Sequence, residues 1–216
     1  MRDAVGVPDA GSGAAAMNEA LDIIRAEHRA LAAVINALKF LVAGIRAERI
    51  SPDFTLLWSM LYYIEAFPEK LHHPKEDDFL FARLRLRTRA ADPLLDELAR
   101  QHAAGEARAR DLQIALGHFV AGKDGGFDAF AAAVERFAGF NWKHMSLEET
   151  EIFPLAAAHL NAVDWKTIAR AFRKNEDPLT GAGAASGAAS GADLEFSRLF
   201  TRIVSLVPAQ RSSEHS

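Results

Sequence analysis

HHPKEDDFLF, residues 72–81, sets two histidines a turn ahead of three acids and closes on an apolar run. HMSLEETEIF, residues 144–153, repeats the arrangement, with His144 and Glu148 spaced like His72 and Glu76. Residues four apart share one face of a helix, about 6 Å from each other. Each pair therefore aims an imidazole and a carboxylate at one point, and the flanking pattern predicts amphipathic helix rather than loop. His102 with Glu106 makes a third such pair. His28 falls inside an earlier apolar repeat formed by Leu21, Ile24, Leu31, Ile35, Leu38 and Val42.

Working outward, four long helical patterns emerge. The first covers about residues 18–48. The second opens at SPDF, with Ser51 as N-cap, Pro52 at the first helical position and Asp53 complementing the helix dipole. It runs to about Arg87 and meets Pro68 and Pro74, which predict a bend. The third starts at Asp92 and Pro93 and reaches about Gly122. The fourth follows KDGG, passes Trp142 and Phe153, and bends or ends at Pro154; a shorter helix follows from Asp164. Strand signals are missing. The expected fold is all-α: an antiparallel up-down-up-down four-helix bundle with a short extra helix. Residues 1–16 are expected to be disordered and 17–177 to form the bundle with its capping helix. PLTGAGAASGAASGAD, 178–193, reads as a flexible linker. LEFSRLFTRIVSLV, 194–207, reads as an amphipathic tail helix, with Phe196, Leu199, Phe200, Ile203 and Val207 on one face.

Composition removes several function classes. A net charge of −4 and the lack of a basic stripe give no footprint for nucleic acid. Cysteine is absent, which excludes disulfides, thiolate metal sites, iron–sulfur clusters and cysteine nucleophiles. The first sixteen residues lack the apolar core of a signal peptide. No stretch of about 18 residues is apolar and free of charge, so no membrane span is expected and a cytoplasmic setting is the default.

Helix rise tests whether the histidines and acids meet. At about 1.5 Å per residue, His28 lies about 30 Å before the first turn and His72 about 31 Å after it. Glu76 is roughly 18 Å before the second turn and His102 roughly 16 Å after it. Glu106 is about 25 Å before the third turn and His144 about 27 Å after it. An antiparallel bundle thus brings His28, His72, Glu76, His102, Glu106, His144 and Glu148 to one level. Carboxylates buried together need a cation. These nitrogen and oxygen donors exceed the four of a zinc site and suit a carboxylate-bridged pair of iron or manganese ions. With two carboxylate bridges and one oxo or hydroxo bridge between six-coordinate ions, one position stays open for a small ligand.

His28, HHPKEDDFLF and HMSLEETEIFPLA resemble the hemerythrin-type cation-binding domain over about residues 18–160. The resemblance implies a cofactor of two non-haem iron ions (Fe2+/Fe3+), oxo- or hydroxo-bridged. It makes Glu76 and Glu148 the bridges and His28, His72, His102 and His144 terminal ligands. Glu106 departs from the family's oxygen carriers, which have a histidine there and so five histidines with two carboxylates. An added anion favours the ferric state and moves the expectation toward sensing, peroxide or nitric oxide chemistry. A slipped register would replace His72 and Glu76 by His73 and Asp77; the match of HMSLEE to HHPKED favours His72, leaving His73 outside the ligand set. His118, His159 and His215 lack acids four residues on and read as structural or solvated. Tyr62 and Tyr63 read as packing residues.

The leading expectation is a di-iron protein that binds dioxygen, or peroxide or nitric oxide, for sensing, storage or detoxification. An enzyme that disproportionates peroxide or reduces nitric oxide, an iron-responsive interaction module and a metal-free helical scaffold are the competing readings.

Overall fold

The structure is a computed structural model of the 216-residue chain, and it describes residues 10–174 together with 177, 179, 180 and 201. It is an all-helical bundle, with no strand among the described residues. The first long stretch is α1, Ala10–Arg46. The second runs through α2 (Phe54–Ile64), a π-helical segment π1 (Glu65–His72), α3 (His73–Lys75), π2 (Glu76–Phe81) and α4 (Ala82–Arg87). The third is α5, Asp92–Val120. The fourth joins α6 (Gly126–Leu147), π3 (Glu148–Ile152) and α7 (Phe153–His159), and α8 (Ala162–Phe172) follows.

Local chemistry sets these boundaries, with two departures from expectation. The second stretch is capped by Asp53, whose carboxylate accepts from the Leu56 amide at 2.9 Å, and not by Ser51. Residues 10–16, expected to be disordered, belong to α1. They are rich in alanine, the best helix former. Gly13 also sits so close to α8 that a Cβ there would lie 2.7 Å from the Ala162 Cβ. Residues 1–9 lie outside the described residues. α8 begins at Asn161, whose side chain accepts from the amides of Val163 and Asp164 while Asp164 accepts from the Asn161 amide. Arg87 grips Asp164 with two nitrogens and ties α4 to this cap.

The prolines are accommodated by widening the helix. A proline ring clashes with the carbonyl four residues back and offers no amide. Around Pro68, Pro74 and Pro154 the bonding slips to five residues: the His73 amide reaches Pro68 O, Ala82 reaches Asp77 O and Phe153 reaches Glu148 O. Such π turns are uncommon and concentrate at functional sites.

Two apolar cores lie on either side of a polar layer. One contains Leu31, Leu38, Leu57, Leu61, Leu112, Leu116, Phe130 and Phe137. The other contains Ala20, Ile24, Leu80, Leu84, Leu95, Leu98, Ile152, Phe153, Trp165 and Phe172. The first stretch meets the second core and then the first core. The order reverses in the next stretch, and again in the two after it. Between the cores each stretch carries its histidines. Ser12–Arg46 is long and apolar enough to cross a membrane by length and composition, although no such span was expected; 56% of its most apolar window is buried inside the bundle. Leu179, placed in the expected linker, is buried against the first core, so the packed chain extends past residue 177. Of the expected tail helix only Thr201 is described, and it is helical and exposed; the rest lies outside the described residues.

Candidate metal centre

Six of the seven residues singled out by spacing come together between the two cores. His28, His72, Glu76, His102, His144 and Glu148 are all buried, and Glu76 and Glu148 have no solvent exposure at all. The Glu76 Oε1 lies 3.3 Å from His72 Nε2 and 3.9 Å from His28 Nε2, while its Oε2 lies 3.5 Å from His102 Nε2. Glu148 mirrors this. Its Oε2 is 3.3 Å from His28 Nε2, and its Oε1 is 3.5 Å from His144 Nε2 and 3.8 Å from His102 Nε2.

Glu106 is the correction. It is exposed, within electrostatic reach of Lys70, because the buried stripe of α5 runs through Leu98, His102, Gly105, Ala109 and Leu112. The position four residues after His102 falls outside that stripe. The fifth imidazole comes from His73, which is buried and stacks on His102 at 4.4 Å. Two neighbouring residues diverge by about 100° on an α-helix. The wider turn of π1, ending at His72, lets both His72 and His73 face inward.

The donors divide into two groups that share Glu76. His73, Glu76, His102 and His144 offer atoms all within 4.8 Å of one another, and so do His28, His72 and Glu76. The four Nε2 atoms of His28, His72, His102 and His144 and all four oxygens of Glu76 and Glu148 are buried without a hydrogen-bond partner. Buried polar atoms rarely go unpaired in folded proteins. Eight such atoms converging from four stretches are a cradle for cations, and the residues fit a metal.

An outer set of acceptors aims the rings. His72 Nδ1 is 2.6 Å from Glu27, His28 Nδ1 is 2.8 Å from Glu149, and His73 Nδ1 is 3.3 Å from Glu69. His144 Nδ1 is 3.0 Å from Gln101, and His102 Nδ1 is 3.0 Å from Asp77. The hydrogen bonds at Nδ1 of His28, His72, His73 and His144, and the Asp77 carboxylate at ion-pair distance from His102, favour the tautomer that leaves Nε2 free for a metal and raise its basicity. Four rings also lean on phenylalanines: His28 on Phe153, His72 on Phe172, His102 on Phe81 and His144 on Phe140. Spacing rules overlooked these partners. Yet Glu27, Asp77, Gln101 and Glu149 each adjoin a core donor in sequence, and Glu69 precedes His73 by four.

Glu69 depends on a glycine. Burial pushes its carboxyl up to about 7, and a Cβ at Gly105 would collide with its carboxylate oxygen. Gly105→Ala is expected to leave the helix as stable or up to about 1 kcal/mol more stable. It swings Glu69 off His73 and weakens metal binding by about tenfold. Thermal melting and competitive chelator titration, run side by side, check the two effects.

Protons occupy the metal-free cluster. Burial would lower His28 and His102, but Glu148 with Glu149 lifts the first to about 9, and Asp77 with Glu148 lifts the second to about 10. Glu76 and Glu27 likewise outweigh burial and hold His72 well above the usual histidine range. Burial drives His144 down to about 3 and His73 well below its ordinary value. Burial and the neighbouring Glu148 push Glu76 up. For Glu148, burial is outweighed by His144, His102 and His28, which hold it well below the carboxylate range. An unfolded histidine titrates near about 6.5, so the raised pair contributes stability that is complete below that pH. The contribution disappears as pH rises through about 9 and about 10. The melting temperature of metal-free protein is therefore expected to fall between pH 7 and 10. Metal-loaded protein, in which the imidazoles would bind as neutral donors, is expected to hold steady over the same interval, and calorimetry with and without a chelator measures the difference.

Beside the His28 and His72 group lies a cavity of about 10 Å³, lined by Leu31, Phe67, Met145, Tyr63 and Asp177 as well as the imidazoles. That is room for about one water-sized molecule. Tyr63, expected only to pack, is fully buried and donates to Asp177 Oδ2 at 2.9 Å; Tyr62 is exposed. His118 and His159 are exposed, and His215 lies outside the described residues.

No curated protein and no solved structure matches the chain. The family model of the hemerythrin HHE cation binding domain matches residues 19–156, which span every donor of the cluster. With the match covering well over half of its length and His and Glu donors gathered at the waist of an all-helical bundle, the chain belongs to the hemerythrin HHE cation-binding family.

Proposed function

We propose that the chain is a non-haem di-iron protein that binds dioxygen, or a related small ligand such as peroxide or nitric oxide, for sensing, storage or detoxification. The observation that carries this reading is the division of the donors into two groups sharing a carboxylate. His28 and His72 would hold one ion and His73, His102 and His144 the other, with Glu76 and Glu148 serving both. We read the bundle as the antiparallel up-down-up-down four-helix form, in keeping with the alternating order in which its stretches meet the two cores. His73 restores the count of five histidines and two carboxylates, now with one imidazole from the second stretch instead of the third. If both ions are six-coordinate and share an oxo or hydroxo bridge, the three-histidine ion is complete. The two-histidine ion keeps one position, and the small cavity lies on its side. Iron supplies the electrons and the open position. The chain orients the imidazoles through Glu27, Glu69, Asp77, Gln101 and Glu149, and the phenylalanines and flanking cores keep the layer dry.

An enzymatic reading has one observation in its favour. Four imidazoles lean on carboxylates, Glu27, Glu69, Asp77 and Glu149. Anionic partners strengthen a ligand's donation and favour the ferric state, which suits peroxide disproportionation or nitric oxide reduction more than reversible carriage. Protein purified from iron-replete cells is expected to hold about two irons per chain and to absorb in the near ultraviolet as an oxo-bridged ferric pair. A chain that stays fully folded and binds no metal would refute both readings. Anaerobic reduction followed by oxygen separates them: a persistent, reversible spectrum means binding, and rapid irreversible oxidation means turnover.

A further inference from the structure

The chain returns over the small cavity after α8. Asp177 is buried there although it belongs to no helix. Its Oδ2 accepts from the Tyr63 hydroxyl at 2.9 Å, and its Oδ1 accepts from the Leu179 amide at 2.8 Å. The Thr180 hydroxyl donates to the Asp177 carbonyl at 3.0 Å, and Leu179 is buried in the adjoining core. Asp177 is thus held on both carboxylate oxygens while forming part of the cavity wall. The same cavity is lined by His28, His72, His73 and His144. None of this is needed to hold a metal. Tyr63 and Asp177 touch the space beside the donors and are not themselves among them.

We propose that Asp177, latched by Tyr63, is the size-selecting closure of this cavity, so that only ligands of two or three atoms reach the two-histidine side of the site. This rests on the proposed di-metal reading. Three features set the selection. The space of about 10 Å³ leaves no room for an organic substrate. Leu71, exposed at 37%, and the partly exposed Phe67 are lining residues that meet solvent, so the cavity lies close to the surface on their side. The latch is a single hydrogen bond between two buried groups, and local openings of this kind occur without global unfolding. A second approach exists at the surface groove between α1 and α6, lined by Arg29, Ala32, Trp142 and Glu149 and ending on His28. That groove meets the outer, Nδ1 side of His28, where Glu149 is bonded, and leads away from the unpaired Nε2.

The test uses the full chain loaded with iron, with azide as the probe and its association followed by stopped-flow absorbance. Asp177→Ala is expected to accelerate association by about tenfold or more, and Tyr63→Phe, which keeps the ring and drops the latch, by a smaller factor. Asp177→Asn keeps the shape and removes the charge. It is expected to stay within about threefold of wild type. Equal acceleration by Asn and Ala would mean that charge and not closure governs entry, and would overturn the proposal; so would an unchanged rate in Asp177→Ala. If the chain holds no iron, the di-metal reading fails and closure is read on the metal-free protein by nitration with tetranitromethane and mass spectrometry. Tyr62 is then nitrated in both proteins, whereas Tyr63 is protected in wild type and modified about tenfold faster in Asp177→Ala. Continued protection of Tyr63 in that variant overturns the closure as well.

Discussion

Replacing Glu76 or Glu148 by alanine is expected to empty the site. Each carboxylate has its two oxygens turned toward different histidines, Glu76 toward His72 and His102 and Glu148 toward His28 and His144. Glu76 belongs to both donor groups, and Glu148 faces a histidine of each, so removing either one takes a carboxylate from beside both groups. Metal affinity is expected to drop by well over the roughly 10–100-fold that losing an outer partner costs. On the di-iron reading proposed above, iron content is expected to fall from about two per chain to a small fraction of that. The metal-free fold suffers too. Glu148 compensates the charge on His28 and His102, and a buried pair broken on one side costs about 3–5 kcal/mol. Glu149→Ala is the calibrating variant, because it touches His28 only from outside. Metal analysis, with circular dichroism on the same samples, decides the matter. Full stoichiometry in Glu76→Ala would contradict the shared carboxylate.

The second large effect contrasts two residues that spacing ranked in the opposite order. His73→Ala is expected to lower metal occupancy by about half and metal affinity by more than about a hundredfold, since the three-histidine group loses a ring that stacks on His102 and meets His144 edge-on. Glu106→Ala is expected to change neither, and Glu106→His to leave the reduction potential where it was, because the side chain faces solvent. Metal titration of the two alanine variants and potentiometry on Glu106→His test this. A shifted potential in Glu106→His would return Glu106 to the cluster.

These residues also show what the sequence can and cannot carry. Pairs such as His72 with Glu76 and His144 with Glu148 were legible because four-residue spacing fixes a common helix face, and the rise placed them at one depth with His28 and His102. The same rule failed at Glu106, where it was applied to a helix that contributes one donor and follows its buried stripe to Gly105. His73 was out of reach for a different reason. Its inward aim depends on a π turn, and the prolines that signal irregularity do not say whether a helix bends or widens. The outer partners needed the packed fold, since Glu27 adjoins His28 in sequence yet bonds to His72.

The division of the interior into two greasy halves with a charged waist has a consequence for cooperativity. Without ions, the waist is held by buried histidine–carboxylate pairs and leaves several nitrogens and oxygens without a hydrogen-bond partner, so the halves on either side are coupled more weakly than across a packed core, and heating is expected to melt them in separable steps. Ions bound to side chains from all four stretches would rivet the halves together and make unfolding a single event, turning metal supply into a control on how long the chain survives a protease.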